Sequence, residues 1–222
     1  MNPVDIVELL DQGYAWTAGR VWAVRAHDLD RPTPCTRWDL RHLLNHLIGA
    51  QQLLTGAVAA APPGTGPGLD ADANADANAD TNADADADAD AATVSQTLAD
   101  ADLVGTDPVG AYDAMVERAM AVWRTPDVLS GTCELPFGPA PVQVAARIAL
   151  LDAVVHGWDV ARATGEAADI PDELAEPILA FAPDLLAGAP RGTAFADEVT
   201  TDKPNSASDR LVAFLGRKPA SA

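Results

Sequence analysis

Asp152 and His156 stand four residues apart in one of the most apolar stretches of the chain, residues 147–160. The apolar pattern predicts a helix, and a four-residue spacing puts the carboxylate and the imidazole side by side on one helix face. Because carboxylates are seldom buried without a partner, this pair requires a cation or a matching charge. A metal ion would satisfy both groups, since carboxylate oxygens and imidazole nitrogens are common metal ligands.

A third candidate ligand, His46, lies far upstream in a second predicted helix. On a helical wheel His46 lies beside the leucine stripe of its helix, next to Ala50, and Asp152 and His156 have a similar setting next to Ala149. Small side chains around polar groups leave space for an ion. Two imidazoles and one carboxylate that face each other in a bundle would form an open metal site, with the ligand set of catalytic zinc.

The other histidines offer weaker candidates. His42 is also four residues from His46, so these two could pair, but His42 shares its face with Asn45 and Gly49, which we interpret as the solvent side. His27 falls at the end of the first predicted helix, where we expect it to be exposed.

Simpler interpretations of the candidate residues remain open on spacing alone. A lone histidine on a helix is usually a hydrogen-bonded core or surface residue. Asp152 and His156 could pair only with each other, or with Arg147. For Asp159 and Arg162 the simplest interpretation is an ion pair one turn apart on the helix.

The elements that must position these residues are helices. Capping residues, prolines and helical apolar periodicity predict them, together with a short extended piece at 132–135. With no convincing sheet, the fold class is an all-α bundle. The predicted helices cover about 2–25, 36–60, 108–123, 141–164 and 171–186, with a shorter one at 209–215; Thr36 is the predicted cap of the second and Gly165 that of the fourth.

Between the second and third helices lies a Pro/Gly cluster followed by an Asp-Ala-Asn-Ala repeat. Its like charges repel and it has little apolar surface to bury, so we expect a disordered Asp/Ala-rich insertion. The expected organisation is one helical metal-binding domain made of residues 1–61 and 93–216, a disordered insertion at 62–92, and a flexible tail at 217–222.

Composition limits the partners of the protein. The chain of 222 residues is 48% hydrophobic, which suits a domain with a core, and its formal net charge is −19. Eight Asp in residues 70–90 contribute part of this charge, but the rest of the chain is also acidic. Phosphate backbones and anionic lipids repel such a surface, which argues against nucleic acid or a membrane as partner.

Two cysteines and the N-terminus indicate the compartment. Cys35 and Cys133 are far apart and form no metal or redox motif, which fits a reducing cytoplasm, with one disulfide as the alternative. The N-terminal residues lack the basic and apolar regions of a signal peptide, so we expect none, and no apolar run approaches the ~20 residues that span a bilayer. We therefore expect a cytoplasmic protein, either a monomer or a homodimer.

Three segments carry a resemblance to a known family. Residues 151–165 resemble the metal-binding helix of the mycothiol-dependent maleylpyruvate isomerase N-terminal family, within the DinB-like four-helix-bundle superfamily. Residues 33–49 resemble its second-helix motif. Residues 209–216 look like the closing helix of a short actinobacterial branch of the family.

The resemblance implies a DinB-like four-helix bundle with an extra C-terminal helical segment. It also implies a divalent metal, with zinc as first choice, held by His46, Asp152 and His156. The founding isomerase has a Glu where this chain has Asp152, so the shorter side chain raises a question of reach. We expect no separate C-terminal domain like that of the isomerase, because few residues follow Gly165.

The resemblance also implies a small-molecule substrate or thiol as partner, and it favours a metal-dependent transferase or isomerase that uses a low-molecular-weight thiol such as mycothiol as co-substrate. A metal-dependent hydrolase and a non-catalytic bundle with a structural metal are the alternatives. No serine or cysteine nucleophile with an adjacent base is evident. Cys35 and Cys133 each precede a ligand-bearing helix, but no catalytic residue is predicted from the sequence.

Overall fold

A computed structural model describes residues 5–61, 83–187, 195–200 and 206–219, without the side chains of 83–91. The described residues are mostly helical, which confirms the predicted all-α class. They form α1 (Ile6–Val21), α2 (Leu40–Ala59), α3 (Ala83–Asp100), α4 (Pro108–Trp123), α5 (Val142–Thr164), α6 (Asp172–Leu185) and α7 (Ala207–Phe214), with strands β1 (Thr132–Leu135) and β2 (Gly138–Pro141).

Aspartates cap the helices that start the bundle. Asp5 caps α1 and accepts a hydrogen bond from the backbone of Val7, whereas the predicted start at Asn2 lies outside the described residues. The cap of α2 is Asp39, not Thr36 as predicted, because the Asp39 carboxylate accepts from the backbone N–H three residues later. The start of α2 therefore lies closer to His46 than expected.

Four helices form the bundle. α1 and α5 pack along each other, α2 packs against both α4 and α5, and α4 closes the ring against α1. α3 covers the outer side of α2, and α6 and α7 pair with each other next to α5. No helix in the described part of the chain combines the length and apolarity that a membrane span requires.

The short extended piece predicted at 132–135 is strand β1, and it pairs antiparallel with β2 in a hairpin. The second strand was missed because Gly138-Pro-Ala-Pro141 has neither the alternation nor the β-branched residues that mark a strand. The hairpin leads directly into α5, since β2 ends at Pro141 and Val142 begins the helix.

The face of α5 that carries Asp152 and His156 points into the bundle. Ala145 and Ala149 on this flank are fully buried, whereas Val144 and Ile148 elsewhere on α5 are only partly buried. Small residues let neighbouring helices approach, so the alanine flank is the interior and not a margin of the core. The polar pair consequently faces α2.

α3 corrects two expectations. It begins at Ala83, inside the predicted disordered insertion, because alanine has the highest helix propensity and extends the helix backwards. Residues 62–82 of that insertion lie outside the described residues. α3 also covers part of the α2 face assigned to solvent: Asn45 is buried, and a Cβ added to Gly49 would lie 2.8 Å from Leu98.

The end of the chain differs from the predicted flexible tail. α7 ends at Phe214, and Gly216 then adopts a positive φ of 80° that reverses the chain. Arg217 beyond this turn is buried, with 8% of its surface exposed. A charged residue is held inside the fold only with partners, which here lie on α5.

Close packing of α1 on α5 predicts the outcome of one substitution. A Cβ added to Gly157 would lie 2.5 Å from Oγ1 of Thr17 and 2.8 Å from the ring of Trp16. We expect Gly157→Ala to lower the free energy of unfolding by about 1–3 kcal/mol through overpacking. The matched change Gly19→Ala meets no atom within 4 Å and should raise it by about 0.5–1 kcal/mol. Urea denaturation measures both, and equal effects would contradict this packing.

Candidate metal centre

The three predicted ligands converge between α2 and α5. Oδ1 of Asp152 lies 3.4 Å from Nε2 of His46 and 3.4 Å from Nε2 of His156. The three candidate ligand atoms all lie within 4.8 Å of one another. The side chains are 10–14% exposed, so the cluster is nearly buried but retains access to solvent.

The spacing of these atoms fits a divalent metal. Charge-assisted hydrogen bonds between nitrogen and carboxylate oxygen are about 2.7–2.9 Å long, shorter than the 3.4 Å found twice here. Ligand atoms around a tetrahedral zinc with bonds of about 2.0–2.1 Å are separated by roughly 3.3–3.4 Å. The donor set and the two 3.4 Å separations are therefore compatible with a shared metal ion, and the third separation, between the two Nε2 atoms, is at most 4.8 Å.

Asp152 reaches both imidazoles in spite of its short side chain. Burial alone would raise the pKa of Asp152, but the charge of His156 and hydrogen bonds from His156 and His46 lower it well below the usual value. The carboxyl group is therefore ionised, as a metal ligand must be. Its second oxygen, Oδ2, accepts a hydrogen bond of 2.9 Å from Nε2 of Gln51.

Asp159 orients the ring of His156. Nδ1 of His156 lies 3.0 Å from Oδ2 of Asp159, which is fully buried. Since an ionised carboxylate only accepts, Nδ1 carries the proton of this hydrogen bond and Nε2 is turned towards Asp152. A carboxylate behind a ligating histidine is the usual outer support of a metal site.

Arg217 in turn holds Asp159. Its guanidinium donates two hydrogen bonds to the carboxylate, from Nε at 3.2 Å and from a terminal nitrogen at 2.8 Å. Burial alone would raise the pKa of Asp159, but the charge of Arg217 and hydrogen bonds from His156 and Arg217 lower it to about 2. The segment that follows α7 is thereby joined to α5, which carries two of the three candidate ligands.

Burial alone would lower the pKa of His156, yet its partners reverse the direction. The charge of Asp152 and hydrogen bonds to Asp152, Asp159 and Cys35 raise this pKa well above the usual value for histidine. The two carboxylates on α5 thus favour positive charge at the position where the three ligand atoms meet.

His46 has its own surroundings. Its Nδ1 lies 3.4 Å from the Ser95 hydroxyl on α3. The Trp38 ring lies over His46 with centroids 4.6 Å apart and planes 34° apart, and it lies 6.4 Å from the ring of His156. Nε1 of Trp38 donates to Gln96, so the indole is a fixed apolar wall beside both imidazoles.

His42, the competing candidate on α2, is engaged elsewhere. Its Nδ1 lies 2.6 Å from the carboxylate of Asp39, and 39% of its side chain is exposed. His27 is exposed, as expected, with 78% of its side chain in solvent.

Cys35 lies at the edge of the site. From the sequence it was known only to precede the helix that carries His46. Its thiol donates to Oδ2 of Asp159 at 3.3 Å, and a terminal nitrogen of Arg217 lies 3.5 Å from the sulfur. Cys35, His156 and Asp159 form a second group with metal-ligand spacing. Arg217 occupies the Asp159 carboxylate, however, and its positive charge disfavours a cation there. Both cysteines are free thiols.

The ion pair predicted for Asp159 and Arg162 is wrong. Asp159 pairs with Arg217, and the Arg162 guanidinium instead lies 5.6 Å from the centre of the Trp158 ring. The three-residue spacing of His156 and Asp159 was a usable signal for the contact between them. No local pattern indicates Arg217, because 58 residues separate it from Asp159.

Loss of Arg217 should be costly. Arg217→Met leaves the fully buried Asp159 carboxylate without its main counter-charge, and breaking such pairs costs about 3–5 kcal/mol. We expect urea denaturation to show a loss of unfolding free energy near the lower end of this range, because His156 remains as a partner of Asp159. The matched change Arg162→Met removes an exposed cation beside Trp158 and should cost less than about 1 kcal/mol.

Adding Asp159→Asn to Arg217→Met should recover part of the lost stability, because it removes the unpaired charge. Equal losses for Arg217→Met and Arg162→Met would show that the buried pair does not hold the end of the chain.

Comparison with known proteins identifies the family of this chain. Residues 10–161 match the family described as Mycothiol maleylpyruvate isomerase N-terminal domain. Two similar proteins are Uncharacterized protein MT0763 of Mycobacterium tuberculosis (strain CDC 1551 / Oshkosh) and Uncharacterized protein Rv0738 of strain ATCC 25618 / H37Rv. Each is 31% identical over 196 residues, which cover 87% of this chain and 87% of the relative. No solved structure matches significantly. The family match covers more than half of the chain, including all three candidate ligands, and the chain therefore belongs to the mycothiol maleylpyruvate isomerase N-terminal domain family.

Proposed function

We propose that this protein binds a divalent metal, zinc by preference, through His46, Asp152 and His156, and uses it to act on a low-molecular-weight thiol. Mycothiol is the thiol that the family description suggests. The reaction class is thiol transfer or a thiol-dependent isomerisation.

One observation carries the proposal. Oδ1 of Asp152 lies 3.4 Å from the Nε2 atom of each imidazole, and each imidazole has its Nδ1 turned to another group. Histidines that merely pair with a carboxylate do not need a second, buried carboxylate and an arginine behind them. Outer support of this kind is typical of metal ligands.

The three residues set the charge of the site. With neutral imidazoles they contribute a single negative charge, which leaves a divalent ion with positive charge to attract an anionic fourth ligand. A bound metal supplies the chemistry of a Lewis acid, which lowers the pKa of a thiol or a water molecule. Trp38 forms an apolar wall beside His46 and limits the access of water from that side. Asp159 and Arg217 keep the ring of His156 in place.

Metal content tests the first half of the proposal. Purified without chelators, the protein should carry about one divalent metal per chain by elemental analysis. We expect His46→Ala to lose the metal, because only Asp152 and His156 remain. The matched change His42→Ala, one turn earlier on α2, should retain it.

The melting temperature separates the roles of the metal. If His46→Ala loses the metal and keeps the melting temperature, the metal does not stabilise the fold, and a structural role fails. A wild-type chain with only traces of metal would overturn the proposal altogether.

A cobalt-substituted protein tests the second half. Addition of mycothiol should produce a near-ultraviolet sulfur-to-cobalt charge-transfer band, because the open position accepts a thiolate. The S-methylated thiol cannot ionise and serves as the control. If mycothiol leaves the spectrum as unchanged as its S-methyl thioether does, and the zinc protein cleaves activated esters, a metal-dependent hydrolase replaces the thiol-dependent function.

A further inference from the structure

A buried glutamine lies behind the carboxylate ligand, on the side away from the imidazoles. Gln51 on α2 is fully buried. Its Nε2 donates to Oδ2 of Asp152 at 2.9 Å and to the backbone oxygen of Ala149 at 3.1 Å. Its Oε1 accepts from the hydroxyl of Tyr14 at 2.6 Å. Both amide hydrogens and the amide oxygen are therefore used.

Only one orientation of this amide satisfies its neighbours. If the amide were flipped, its oxygen would face the Asp152 carboxylate and the Ala149 carbonyl, which are both acceptors. The Tyr14 hydroxyl supports the same orientation, because it receives a hydrogen bond from Nε1 of Trp123 at 3.3 Å and donates its own proton to Gln51. The direction of each hydrogen bond in this chain is thus determined by chemistry.

The chain of hydrogen bonds controls a side-chain rotation that helix geometry leaves free. The terminal torsion of aspartate is broad and roughly two-fold, so the backbone of α5 does not decide which oxygen of Asp152 faces the imidazoles. The Gln51 amide occupies Oδ2, which leaves Oδ1 as the oxygen directed at both Nε2 atoms. The carboxylate is held for contact through one oxygen.

We propose that Gln51, held by Tyr14, is a positioning residue that makes Asp152 a one-oxygen ligand and so keeps a coordination position open for the thiol. This inference rests on the proposed metal site. It assigns a role in that site to Tyr14 on α1 and Gln51 on α2, although neither residue is itself a candidate ligand. A carboxylate free to bind through both oxygens would occupy a further coordination position.

Gln51→Met tests the inference, because it keeps the length of the side chain and removes the amide. Competition with a chelating dye should show that the dissociation constant for Co²⁺ rises by about 10–100-fold, the usual effect of losing an outer-shell partner. The visible absorbance of the bound Co²⁺ should also fall, since a carboxylate that binds through both oxygens increases the coordination number. A merely structural role of Gln51 would leave this absorbance unchanged.

Tyr14→Phe is the gentler variant, since it removes one hydroxyl and leaves Gln51 in place. It should weaken Co²⁺ binding and lower the absorbance in the same direction as Gln51→Met, but less. Tyr112→Phe is its matched control, because Tyr112 is also fully buried and its hydroxyl donates to the backbone of Tyr14 and not to Gln51. We expect affinity and spectrum of the control to equal those of the wild type.

The outcomes separate this inference from the proposed function. If the wild type binds no metal, the proposed function fails first. If the wild type binds Co²⁺ and Gln51→Met binds it with equal affinity and an unchanged spectrum, the metal site stands and the positioning role is overturned. Where Gln51→Met does not fold by circular dichroism, Tyr14→Phe decides: a spectrum identical to that of Tyr112→Phe overturns the role.

Discussion

A carboxylate placed inside a helical bundle is the constraint on which the rest of this structure depends. Asp152 is ionised and nearly buried between α2 and α5, where its charge must be matched. Two imidazoles approach one of its oxygens at 3.4 Å each, and a glutamine amide donates a hydrogen bond to the other. The bundle provides room for this cluster because alanines line the buried face of α5.

Support for the cluster comes from parts of the chain that are distant in sequence. Behind His156, Asp159 is held by Arg217, so the segment after α7 is anchored on α5. Behind Asp152, Gln51 is held by Tyr14 on α1. The groups that orient the candidate ligands therefore depend on the whole bundle. Such support is what distinguishes a prepared metal site from three polar residues that happen to meet.

The matched family segment includes His46, Asp152 and His156, and the structure brings these three side chains together. Asp152 lies 3.4 Å from both imidazoles although it is one methylene shorter than glutamate, because α2 and α5 pack directly against each other. Glutamine rather than solvent satisfies its second oxygen. Cys35 adds a thiol that bonds to Asp159 and Arg217 beside the site.

Periodicity, caps and spacing determined the helical class, the approximate bounds of the main helices and the candidate ligands His46, Asp152 and His156. These features are local, because a residue's helix face follows from its neighbours three and four positions away. The start of α3 was missed because the repelling Asp charges of the repeat were given more weight than the helix propensity of its alanines, and the second strand of the hairpin was missed because its local pattern is weak. Only the tertiary structure decided that the alanine flank of α5 is the interior, that Asp159 pairs with Arg217, and that Gln51 occupies one oxygen of Asp152. Those contacts join residues 58 and 101 positions apart, and no local periodicity encodes an encounter that exists only once the helices have packed.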